Sequence, residues 1–227
     1  MFKLGIIGRG SRMTHISNLL VKTGKCCISY IADPRIDEIK KELTEQGYNI
    51  SEIMFFPDAD SMLSAVKPDG VCIGTRCSLH TPLAKKVIEK GLPLYLEKPV
   101  CTNEDDLATL CALAQKHPDA ARRVTVSFPL RMTAHVNKVK EIVASGAIGK
   151  LSQIQAWNNV SYGIGYYHKW YRDAGETAGQ FLQKSTHDFD YINDLCGLKP
   201  VSICAVSSSV IFGQSEPVPA SSRGFSK

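Results

Sequence analysis

The chain has 227 residues, enough for one large domain or two small ones around a sizeable core. Its 44% hydrophobic and 22% charged content is that of a globular protein, and no apolar run approaches the ~20 residues that cross a bilayer. The net charge of +5 is spread among acidic residues with no basic block, which argues against nucleic acid and membrane as partners. Eight cysteines contain no CxxC pair, so neither a zinc site nor a disulfide framework is expected. With an opening too short to read as a signal peptide, free thiols in the cytoplasm are the expectation.

Met1–Phe128 alternates apolar runs with amphipathic ones. Strands are predicted at Lys3–Ile7, Cys27–Ala32, Ile53–Phe56, Val71–Gly74, Leu94–Glu97 and Val124–Phe128. Helices are predicted between them at Ser11–Lys22, Ile36–Gln46, Ala59–Val66, Leu79–Lys90 and Glu104–Lys116. This alternation implies βαβ units and an α/β, doubly wound parallel sheet, with residues 1–128 as a Rossmann domain. The pattern then changes. A helix is expected over Thr133–Ser145, a long strand over Leu151–Tyr162, and a Gly- and aromatic-rich stretch over Gly163–Tyr171. A helix over Thr177–Leu195 and a strand-like run over Val201–Phe212 follow. Residues 129–212 therefore read as part of an α+β domain, and the Ser- and Pro-rich 213–227 as a disordered tail.

Three clusters carry candidate chemistry. Gly8-Arg9-Gly10 joins the first strand to the first helix, where Ser11 and Arg12 begin a turn of free N–H groups suited to a pyrophosphate. A full fingerprint has a small residue at position 13; Met13 should loosen the helix–strand contact. Asp33 ends the second strand and can accept hydrogen bonds from the ribose of NAD, or simply cap the helix after Pro34. Arg35 and Arg9 soften its repulsion of a 2′-phosphate, which leaves NADP open as the cofactor. The second cluster, Glu97-Lys98-Pro99, puts an ammonium at a strand end where it can polarise a hydroxyl or carbonyl, the alternative being a solvated lysine. In the third, Gln183, His187 and Asp190 share a helix face, with Lys184 one turn before the histidine. His187 is a general acid/base that Asp190 could orient, or a helix-surface histidine. No metal site is expected.

In order and spacing these residues resemble the glucose–fructose oxidoreductase / inositol dehydrogenase (Gfo/Idh/MocA) family. The resemblance rests on Gly5-Ile6-Ile7-Gly8-Arg9-Gly10 with His15, Gly74-Thr75 with His80, Glu97-Lys98-Pro99, and Ser145–Lys150 leading to His187 and Asp190. It implies hydride transfer between NAD(P) and a hydroxyl carbon of a sugar, inositol or related polyol, with Lys98 and His187 catalytic. It also implies a mostly antiparallel C-terminal sheet through which a homo-oligomer forms. Gly8, Arg9, Gly10, Ser11, Arg12, Asp33, Arg35, Thr75, His80 and Glu97 would serve the cofactor. Arg131, Trp170, Tyr171, Arg172, Gln183, Lys184 and Asp190 are substrate candidates, the alternative being ordinary packing and surface charge. Three residues depart from the family pattern: Met13, Arg76 in place of Pro, and Gln183 in place of an Asp. The resemblance further implies that the chain stops part-way through the large sheet, a C-terminal truncation. An NAD-dependent glycosidase and a non-catalytic nucleotide-binding protein are the competing functions.

Overall fold

A computed structural model describes residues 1–160, 166 and 169–208. The chain divides into two compact units, Met1–Ser127 and a second that begins at Phe128.

In the first unit, β1 (Phe2–Ile7), α1 (Ser11–Lys22), β2 (Cys26–Ala32), α2 (Ile36–Glu45), β3 (Met54–Phe56) and α3 (Ala59–Ala65) form one half. The other half is β4 (Gly70–Ile73), α4 (His80–Glu89), β5 (Leu94–Leu96), α5 (Glu104–Lys116), the short α6 (Pro118–Ala121) and β6 (Val124–Val126). The six strands are parallel, in the order β3-β2-β1-β4-β5-β6. The order reverses between β1 and β4, and in open α/β sheets ligands bind beyond the strand C-termini at such a point.

Alternation of side chains along the strands builds a core on each face. Leu4, Ile6 and Cys72 meet Met13 of α1 and Ile39 and Leu43 of α2. Ile7, Val71 and Ile73 meet Met62 of α3 and Ala84 and Val87 of α4. Burial pushes the Cys72 thiol up to about 12, so it serves as a small hydrophobe. All eight cysteines are free. Two of the helices start where a polar side chain satisfies a first-turn amide: Asp58 accepts from Ser61 N–H ahead of α3, and Asn103 from Asp106 N–H ahead of α5.

In the second unit, Thr133 caps α7 (Ala134–Ala144). The single helix expected over Thr177–Leu195 is instead broken. A short α8 (Ala174–Thr177) ends at Ala178 and Gly179, both at positive φ, and a π-helical turn, Phe181–Ser185, then leads into α9 (Thr186–Cys196). Two residues of left-handed backbone cannot continue a right-handed helix. Residues 151–160 and 201–208 form no strand among the described residues, unlike the sequence expectation. A strand exists only where a neighbour completes its ladder; here Trp157, Val201 and Val206 stand exposed. The rest of the strand-like and aromatic stretches and the 213–227 tail lie outside the described residues. No helix among the described residues is long and apolar enough to cross a membrane.

Candidate active site

The glycine loop leaves β1 through Gly8, at φ +77°, whose N–H donates to the Ala32 carbonyl (2.9 Å). A Cβ there would sit 2.5 Å from Thr75 Cγ2 and 3.0 Å from Thr75 Cα, so both the conformation and the space require glycine. Gly10 is the N-cap of α1 and supplies no side chain to it, which leaves the Ser11–Arg12 turn open to an anion.

Met13 does not loosen the packing. It is fully buried, and a Cβ on Gly74 would lie 2.7 Å from Met13 Cβ. The small residue missing from α1 is supplied by the facing strand end, where Gly74 N–H donates to the Ile7 carbonyl.

Asp33 is 5% exposed and fully engaged. Its Oδ2 accepts from Arg9 N–H (2.9 Å) and Arg35 Nη2 (3.2 Å); its Oδ1 accepts from Arg35 N–H (2.9 Å) and Arg35 Nε (3.2 Å). Burial pulls the Arg35 pKa down, but the hydrogen bond and charge of Asp33 outweigh it and carry the value above its ordinary level.

Arg9 and His80, expected among the groups touching a cofactor, are placed otherwise. The Arg9 side chain points inward, 1% exposed, to Glu42 of α2, Gln46 just after α2 and Asn18 of α1. Burial lowers its pKa against the charge of Glu42. Only its backbone serves the loop. His80 is also 1% exposed, with Nδ1 2.6 Å from the Pro99 carbonyl. It anchors the Glu97-Lys98-Pro99 turn, whose Lys98–Pro99 bond is cis. From the other side Arg12 Nε lies 3.4 Å from Glu97 Oε1, an ion pair rather than a directed hydrogen bond. Lys98 is half-buried at the end of β5. Gly8, Gly10, Ser11, Arg12, Asp33, Arg35, Thr75, Glu97 and Lys98 thus all sit at or just beyond the C-terminal ends of the central strands.

Burial pulls the His80 imidazole below its ordinary value, against the carbonyls of Pro99 and Thr75. The unfolded chain therefore binds more protons, and the stability from neutral His80 is complete above pH 6.5 and lost as pH falls below it. Urea midpoints should fall between about pH 7.5 and about pH 5.5, with a His80 slope of at most about 1.4 kcal/mol per pH unit. His80→Gln should flatten that segment, and an unchanged slope would show that His80 is not the group responsible.

In the second unit, the ring of His187, at the start of α9, meets Phe128 edge-on (5.7 Å, 89°). Asp190 does not orient it. Arg131 clamps both Asp190 oxygens, Nε–Oδ2 being 2.8 Å, and reaches Asp194 at 3.6 Å. Donating hydrogen bonds to Asp190 holds the Arg131 pKa above its ordinary value, and Lys140 holds the Asp194 carboxyl below its own. Arg131 thereby braces α9 through Asp190 and Asp194. Gln183 is buried within the π-helical turn. Lys184 donates to the Tyr166 hydroxyl, and its Nζ lies 4.2 Å from that ring's centroid. Tyr166 packs on Tyr171 (4.8 Å), which stacks on Trp170 (3.9 Å). Arg172 closes the same short turn as Trp170. Tyr166 is the polar group that residue-by-residue reading missed; the density of aromatics around it was the available signal. Among the described residues no cluster of His, Cys, Asp and Glu could hold a metal ion.

The sheet order, the glycine loop at the switch point and the strand-end acid define a dinucleotide-binding domain of the Rossmann class. The chain belongs to the Gfo/Idh/MocA oxidoreductase family: the family model described as "Oxidoreductase family, NAD-binding Rossmann fold" matches residues 2–127, and the GFO/IDH/MocA C-terminal domain matches 136–219. YteT of Bacillus subtilis is 28% identical over 185 residues, 80% of this chain and 42% of that protein. An inositol 2-dehydrogenase of Corynebacterium glutamicum is 26% identical over 204 residues, 88% of this chain and 56% of its own length. The apo scyllo-inositol dehydrogenase of Lactobacillus casei superimposes with a TM-score of 0.72 at 22% identity, over 87% of this chain and 55% of that one. The chain thus spans about half the length of these relatives.

The first unit is an NAD-binding Rossmann domain, and its residues fit that cofactor. The first turn of α1, left without a side-chain cap at Gly10, suits a pyrophosphate, and the Asp33 carboxylate suits a ribose.

Proposed function

We propose that the protein transfers hydride between NAD and a hydroxyl carbon of a polyol, with inositols and sugars as the substrate class. The observation that carries this reading is the doubly braced Glu97-Lys98-Pro99 turn, held by His80 on Pro99 and by Arg12 on Glu97 at a strand end. Such bracing gives an ammonium a fixed place, which polarising a hydroxyl requires. Similarity to an inositol 2-dehydrogenase supports the substrate class. NAD supplies the hydride acceptor. Lys98 is assigned to hold the reacting hydroxyl, and His187 to take its proton on oxidation and return it on reduction. The Trp170–Tyr171 stack is assigned to the apolar faces of a polyol ring, and Arg172 to its hydroxyls.

The test is NADH absorbance with NAD and a panel of inositols and sugars. Turnover is expected with at least one polyol. Lys98→Ala should lower it by about 10²-fold or more while NADH still quenches tryptophan fluorescence. A protein that binds NADH and turns over none of the panel would overturn the assignment.

A further inference from the structure

The carboxylate of Asp33 has no acceptor position to spare. A carboxylate offers about four lone-pair sites, and Asp33 receives four N–H donors: Arg9 N–H, Arg35 N–H, Arg35 Nε and Arg35 Nη2. The four are not alike. Two are backbone amides that fix the carboxylate in place. The other two belong to one side chain, 22% exposed, which rotation about its own bonds can carry away from Asp33 without moving the backbone. The same Nη2 also donates to the Arg9 carbonyl (3.3 Å), so the guanidinium lies between the end of β2 and the glycine loop. That is the approach a dinucleotide's adenosine half must use in this sheet order.

We propose that Arg35 is a displaceable stand-in for the ribose. Its Nε and Nη2 hold the two acceptor positions on Asp33 that the 2′- and 3′-hydroxyls of NAD take over, and binding exchanges one pair of donors for the other. The inference rests on the NAD reading of this unit. The exchange is matched donor for donor, so Asp33 stays satisfied before and after. The released guanidinium has a partner within reach, since Nη1 is already 3.9 Å from Glu38. A 2′-phosphate has no hydroxyl donor at that position. It meets the charge of Asp33 and cannot complete the exchange, so the latch adds to selection for NAD over NADP. Asp33 is then a receptor that the protein keeps closed on itself, and Arg35 sets the threshold for opening it.

The full chain and Arg35→Ala are titrated with ADP-ribose and with 2′-phospho-ADP-ribose. Removing the internal competitor should tighten ADP-ribose by roughly five- to tenfold, the equivalent of about one hydrogen bond, and give no such gain for the 2′-phosphorylated compound. Weaker binding of the 2′-phosphorylated compound alone would make Arg35 a phosphate receptor and overturn the proposal; so would weaker or unchanged ADP-ribose binding. If the unaltered chain binds neither compound, the cofactor reading falls as well, which separates the two failures. A second measurement needs no alanine variant. In the unaltered protein, the Arg35 Nε–H resonance, assigned with Arg35→Lys, should be protected from solvent exchange when free and lose that protection at saturating ADP-ribose. Protection that persists would mean that the guanidinium never leaves Asp33.

Discussion

Gly8→Ala is expected to abolish measurable NADH binding and to lower unfolding stability. The residue sits at φ +77°, a region that costs an L-residue roughly 1–2 kcal/mol. The new methyl would also meet Thr75 Cγ2 at 2.5 Å and the Thr75 backbone at 3.0 Å. Overlap of that kind adds roughly 1–3 kcal/mol when neighbours must move. The combined loss, about 2–5 kcal/mol, falls on the loop whose backbone must approach the pyrophosphate. Urea unfolding and NADH titration of the same sample divide it between fold and site. Thr75→Ser in the Gly8→Ala background removes Cγ2 and should recover only part, because the backbone contact and the positive φ remain. Wild-type binding by Gly8→Ala would refute the close approach of the two loops.

Gly74→Ala is the second large effect, and its cause is packing rather than backbone conformation. The added Cβ would fall 2.7 Å from Met13 Cβ and 2.9 Å from Met13 Cε. The Cε can swing aside, but the Cβ is fixed to the backbone of α1. Helix and strand must separate, at about 1–3 kcal/mol. Met13→Ala alone should lose about 2–5 kcal/mol through the cavity it leaves. In the double variant, the alanine at 74 fills part of that cavity. Its loss should fall short of the sum of the singles by about 0.5–3 kcal/mol in urea unfolding. Strict additivity would mean that the two positions do not share their space.

This pair also shows where the sequence was legible. The alternation of apolar strands with helices up to residue 128 was readable because both faces of a parallel sheet are covered, so each strand is a short apolar run. Met13 looked like a defect because its compensation, Gly74, lies 61 positions away on another strand end. Local spacing carries no trace of such a contact. Asp190 misled for the same reason: three residues from His187 it looked like its partner, but Arg131, 59 positions away, takes both oxygens. Arg9 and His80 have the right chemistry beside the right loops, and only the placement of α2 and of the Pro99 turn shows that both face inward. The broken helix before α9 was hidden because periodicity averaged over a long window does not register two left-handed residues or a wide turn. Residues 151–160 have strand composition, but composition cannot supply the neighbour that a strand needs.

The inward course of Arg9 has a thermodynamic consequence for the loop above it. Glu42, Gln46 and Asn18 hold its guanidinium, and Asn18 is in turn held by Tyr48 and Gln46. The peptide units between Gly8 and Gly10 are therefore guyed from beneath by two helices, and most of their conformational entropy is given up when the domain folds. A ligand that reaches this cradle has little backbone left to order. Affinity at the phosphate loop then becomes a property of residues as remote as Gln46, which acts only through the Arg9 guanidinium and Asn18.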